Sequence, residues 1–99
     1  MTPTISNAES ASTIRVEDEV QPTDVDALAA LVDRLADSAA VVVELSRART
    51  ITPFALVQLQ QLVTRHVALG HRVLLRGLTL SQSRLIELAL RAARVPSPA

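Results

Sequence analysis

The side chains able to carry chemistry are few. His66 and His71 are the only histidines, and a five-residue separation gives neither the i,i+4 pair of a helical metal site nor part of a recognisable ligand set. His66 falls near the middle of an apolar helical arc, so it reads either as a proton-sensitive switch or as a hydrogen-bonded core or edge histidine. No carboxylate stands obviously beside it in the sequence. Without cysteine there is no thiol nucleophile, thiolate zinc site or disulfide framework. Gly70 and Gly77 are the only glycines, which excludes a glycine-rich phosphate loop. Ser81 and Ser83 lack a nucleophile-elbow context and a base at readable spacing. Glu17-Asp18-Glu19 groups three carboxylates, but in an extended strand Asp18 points away from its two neighbours, and the run reads as a solvated edge. Neither an enzyme nor a bound cofactor or metal is expected.

Composition limits the remaining classes. The chain has 99 residues, 48% of them hydrophobic, with ten acidic side chains balanced by ten arginines and no lysine. That is one domain of neutral formal charge, too apolar for a disordered chain. No apolar run approaches the ~20 residues of a membrane span, so no membrane insertion is expected. MTPTISNAES has neither a basic start nor an apolar core, so it does not read as a secretory signal, and a cytoplasmic location is expected. Phe54 is the only aromatic residue, so the stacking platform of a single-stranded nucleic-acid binder is missing, and no nucleic-acid partner is expected. Charge is sorted along the chain. Residues 1–46 hold nine acids and two arginines, and residues 47–99 hold eight arginines and one glutamate. The two halves read either as solvated faces or as surfaces that steer a charged partner within the roughly 8–10 Å that salt permits.

The elements follow from periodicity and punctuation. Residues 1–11 read as a loose tail with a short edge strand near Pro3–Ser6. Ile14 and Val16 alternate with Arg15 and Glu17 in a strand ending near Val20. Val25, Leu28, Leu31, Val32 and Leu35 recur at helical spacing, with Thr23 or Asp24 as the cap. AVVVEL, residues 40–45, reads as a central strand covered on both faces. A loop follows, and then a helix with Thr52 as N-cap, Pro53 at its first position and Gly70 beyond its end. Leu56, Leu59, Leu62, Val63, Val67 and Leu69 are expected on its buried side. HRVLLR, 71–76, is a further strand, and a last helix from about Ser81 to Arg94 turns Leu85, Ile86, Leu88, Ala89 and Ala92 inward. Residues 12–95 thus make one α/β domain with a parallel core, and 96–99 read as a frayed end.

The stretch from Val41 to Ala89 resembles the STAS family, named for sulphate transporters and anti-sigma factor antagonists. The resemblance rests on the strand ending in Glu44-Leu45-Ser46, the loop into a capped helix, and Leu69-Gly70 followed by a Val-Leu-Leu strand and a final helix. With the looser match of VEDEVQPTDVDAL it covers roughly residues 13–95. It implies a small mixed sheet with about three helices mainly on one face. It also implies regulation by protein contact.

Antagonists of that family carry Asp-Ser-Ser-Gly or a close variant on the first turn of the helix after the central strand, where a serine is phosphorylated. A phosphate there would meet exposed helix N–H groups and disrupt a docked partner. The matching residues here are Thr52, Pro53, Phe54 and Ala55. Neither Pro53 nor Phe54 can accept a phosphate, so the serine switch is lost or moved, leaving Thr52 as the candidate phosphorylation position. The expected partner-binding surface comprises Arg47, Arg49, Thr52, Pro53, Phe54, Ala55 and Gln58, with Phe54 as either an exposed anchor or a core residue. The implied partner is an anti-sigma factor or kinase-like protein. Leu45-Ser46-Arg47 is also similar to stand-alone STAS subunits of lipid-transport ATP-binding-cassette systems, where the partner would be an ATPase. The oppositely charged halves leave a self-assembling homo-oligomer as a third reading.

Overall fold

Apolar residues alternate with polar ones through 11–20, which puts Ile14, Val16 and Val20 on one side of a strand, and all three are fully buried. The computed structural model describes residues 2–7, 11–37 and 39–94. The elements are β1 (Thr2–Asn7), β2 (Ala11–Val20), α1 (Pro22–Leu35), β3 (Ala40–Glu44), β4 (Ala48–Ile51), α2 (Pro53–Ala68), β5 (Val73–Arg76) and α3 (Leu80–Arg94). The expected frayed end at 96–99 and the side chain of Ala92 lie outside the described residues. No helix among the described residues is long and apolar enough to cross a membrane.

The sheet is mixed, in the order β1-β2-β3-β5, with β1 antiparallel to β2 and the β2–β3 and β3–β5 pairs parallel. β1 is longer than the short edge strand expected at Pro3–Ser6. β4 corrects a second expectation, because 46–52 reads as loop in the sequence. Its four residues include exposed Arg49 and Thr50 and give no apolar alternation to read. β4 runs parallel to the end of β2. Arg15 stands opposite Glu44 and Asp18 opposite Ala48, so the β3–β4 path carries one residue more than β2 over this step. The register shift falls between Asp18 and Glu19, and Asp18 takes a φ of 67°. Asp18 is therefore not in the extended geometry expected of it. A left-handed φ costs a non-glycine residue about 1 kcal/mol, and aspartate is among those that tolerate it best.

The helices pack on one face. Val41 and Val43 of β3 are buried, whereas Val42 on the opposite side is only half-buried, so the strand is not covered on both faces as expected. Thr13 and Arg15 of β2, Val42 and Glu44 of β3, and Leu74 and Arg76 of β5 share the outer face through their register. The core between sheet and helices takes Val25, Leu28 and Val32 from α1 and Ala55, Leu59 and Leu62 from α2, and Leu56 of α2 is also buried. α3 leans chiefly on α2 and buries Ile86, while Leu88, expected inward, is exposed.

Local chemistry sets the helix ends. α1 begins two positions earlier than a Thr23 cap would give and three earlier than an Asp24 cap. Gln21 is the N-cap, Pro22 occupies the first turn, and the Asp24 carboxylate accepts from the Gln21 amide at 2.8 Å. α2 begins as expected, with Thr52 Oγ1 accepting from Ala55 N at 3.3 Å. At its far end Val67 and Leu69 are exposed, contrary to the wheel. There the buried side chain is His66.

Candidate protein-binding surface

The C-terminal ends of β3 and β5 meet in a tight corner. Glu44 ends β3, Leu45 is buried, and Ala48 N donates to Leu45 O at 3.0 Å to close a turn that exposes Ser46 and Arg47. Gly77 follows β5 with φ +86°, pressed against Glu44 and Ser46. The Glu44 carboxylate receives the Arg76 guanidinium through Nε and the Ser46 backbone amide at 3.1 Å. These donors, Arg76 foremost, hold it below the usual carboxylate range.

From this corner β4 leads to the start of α2. Thr52 N donates to Val20 O at 3.1 Å, tying the helix start to the end of β2. Pro53 has no N–H and suits the first helical position. Phe54 comes next and is 65% exposed, so it is not the core residue that the sequence left open. Arg47 and Arg49 are exposed before it, Arg47 lying 3.6 Å from Glu17. Thr52 is half-buried, its hydroxyl engaged as a cap. Gln58 is half-buried, and its Oε1 is enclosed with no hydrogen-bond partner among the described residues.

Ala55 needs correction. It is fully buried against the core and presents no surface to a partner. A small side chain there lets the first turn of α2 sit close to the sheet. Leu80, the opening residue of α3 three positions beyond Gly77, is 69% exposed. Sequence reading started that helix at Ser81. The signal was available in Thr79-x-x-Gln82, a reciprocal cap in which Gln82 N donates to Thr79 Oγ1 at 3.1 Å and Thr79 N to Gln82 Oε1 at 2.9 Å.

The histidines lie at the other end of α2. His66, only 3% exposed, has its Nε2 at 2.7 Å from Asp33 Oδ1 and its Nδ1 at 2.9 Å from His71 Nδ1, and His71 Nε2 lies 3.4 Å from Asp37 Oδ1. The carboxylate missing beside His66 in the sequence is Asp33 of α1, and the one beside His71 is Asp37, just past the end of that helix. Nothing in linear spacing reveals this, because helix-to-helix register decides it.

The rim from Ser46 to Gln58 offers an aromatic side chain, two arginines and an ordered helix start, with no nucleophile paired to a base. That suits recognition of another polypeptide. No family model and no curated protein sequence matches the chain. Among solved structures, the anti-sigma factor antagonist SpoIIAA in its unphosphorylated form superposes with a TM-score of 0.69 over 96% of this chain and 100% of its own, at 11% identity. An antisigma-factor antagonist STAS domain from Rhodobacter sphaeroides gives a TM-score of 0.62 over 77% of this chain and 85% of its own, at 22% identity. A structure titled Mglu gives 0.64 over 74% of this chain but only 19% of its own, at 20% identity. The mixed sheet, the helices on one face and these superpositions together give the chain the fold of a STAS domain.

Proposed function

We propose that this chain is a non-catalytic, cytoplasmic binding module of the anti-sigma factor antagonist type. It regulates an anti-sigma factor or kinase-like protein through the rim at residues 46–58, without a serine phosphorylation switch. The observation that carries this reading is the exposure of Phe54 on the first turn of α2, in a fold shared with two anti-sigma factor antagonists. An exposed aromatic flanked by arginines has the composition of an interface anchor. Pro53, Phe54 and Ala55 carry no hydroxyl, which supports loss of the serine switch. Thr52 is the candidate modification position, and phosphorylating it would displace the cap that it gives to Ala55 N.

The test is capture of partners from the source cell by the wild-type chain, followed by binding titrations with Phe54→Ala and Arg49→Glu. Phe54→Ala is expected to weaken binding by about 2 kcal/mol, roughly thirtyfold. An unchanged affinity in both variants would overturn the surface. Capture of an ATP-binding-cassette ATPase, and of no sigma-factor regulator, would replace the partner class.

A further inference from the structure

The contact between His66 and His71 has an unusual geometry. Their Nδ1 atoms are 2.9 Å apart and their ring centroids 5.2 Å. An imidazole centroid lies about 1.15 Å from each of its nitrogens, so these two separations agree when both nitrogens lie on the line joining the centroids, each lone-pair direction aimed at the other ring. Two nitrogens chelating a metal at ~2.0–2.1 Å with the same 2.9 Å separation would bring the centroids to about 4.5 Å. The arrangement is that of one N–H···N hydrogen bond.

Proton counting gives the consequence. The His66 hydrogen bond to Asp33 Oδ1 takes a proton on Nε2 and the bond between the rings takes one more, whereas His71 and Asp37, 3.4 Å apart, make only an ion pair when His71 is charged. These two hydrogen bonds need two N–H protons, which two neutral imidazoles carry, and a third proton can sit on His71 Nε2 facing Asp37. A fourth would set two N–H groups head-on. We propose that His66 and His71 form a proton-operated latch joining α1, the end of α2 and the approach to β5, closed while the rings share one proton between their Nδ1 atoms and opened when both rings are charged. The charged groups in contact with it are Asp33 of α1, Asp37 just past that helix, and Arg65 of α2, whose Nη2 lies 3.4 Å from Asp33 Oδ1.

The moving part is His71. His66 is buried, whereas His71 is partly exposed and follows Gly70, which has a φ of +84° and open space around it. The backbone at risk is the close of α2, where Leu69 N and His71 N both donate to His66 O, at 3.1 and 2.9 Å, and Gly70 N to Val67 O at 3.0 Å.

The experiment is nitrogen-15 NMR of the histidine rings in the full chain from pH 8 to 5, with amide exchange at Leu69, Gly70 and His71. At pH 7.5 a single far-downfield proton coupled to both Nδ1 atoms is expected. On acidification it disappears as both rings become charged, and protection of the three amides falls about tenfold after correction for intrinsic exchange. In His71→Ala the same amides are expected to be poorly protected at both ends of the range. Asp37→Asn, a change at an exposed residue, should retain the shared proton. Absence of that proton from the wild-type chain at pH 7.5, or amide protection unchanged down to pH 5, would overturn the latch.

Discussion

Gly77 approaches Ser46 so closely that a Cβ on the glycine would lie 2.5 Å from the Ser46 amide nitrogen and equally close to Glu44 Oε1. The corner joining β3 and β5 beneath the candidate rim has no room for a side chain at this position. Gly77→Ala adds this clash to an unfavourable φ, and a loss of about 2–3 kcal/mol in urea unfolding is expected. Gly70→Ala is the comparison. It has a similar φ and nothing within 4 Å of the new methyl, so a loss of only about 1 kcal/mol is expected.

The Glu44–Arg76 pair makes stability depend on pH in one direction. Arg76 and the Ser46 amide favour the ionised carboxylate in the folded chain, so the unfolded chain takes up the proton first as pH falls. The contribution is complete above the ordinary glutamate value of about 4.3 and is lost as pH drops through the lower folded value. Arg76 is largely exposed, which limits the effect to about 0.5–1 kcal/mol. Glu44→Gln should flatten this part of a stability profile recorded from pH 7 to 3, while Glu87→Gln, at an exposed position, leaves it unchanged.

Phe54 and Leu56 are two residues apart on the same helical turn and face opposite environments. Leu56→Ala should cost about 3 kcal/mol by leaving a cavity in the core. Phe54→Ala should change unfolding by less than about 0.5 kcal/mol. Thermal or urea denaturation separates them, and the second result is what makes Phe54→Ala a clean probe of binding.

Thr52 caps α2 with its hydroxyl and its backbone together. Thr52→Ala is expected to lose about 1 kcal/mol and Thr52→Ser almost nothing, measured by denaturant unfolding.

The sequence speaks clearly wherever one face of an element meets the core. The alternation through Ile14 and Val16, the Thr52-Pro53 start and Gly70 end of α2, and the β-branched run of β3 all have local physical causes, and each is where it is expected. What was not legible depends on long-range register. β4 is held by pairing with β2 rather than by its own composition. Val42 differs from Val41 and Val43 only because no helix covers its side of the sheet. Val67 and Leu69 fit the apolar arc of α2 but are exposed at its far end. Within the rim, Phe54 and Ala55 are adjacent in sequence, and only the seating of α2 decides that one is exposed and the other enclosed.

β1 and β2 are sequence neighbours paired antiparallel, whereas β3 must be brought to β2 across α1, and β5 to β3 across β4 and α2. Closing those long parallel connections is the slow event of refolding, and the β1–β2 pair adds little to its barrier. A chain shortened by β1 should therefore refold at nearly the full-length rate while unfolding faster, so the edge strand governs how long the native molecule lasts rather than how quickly it is made.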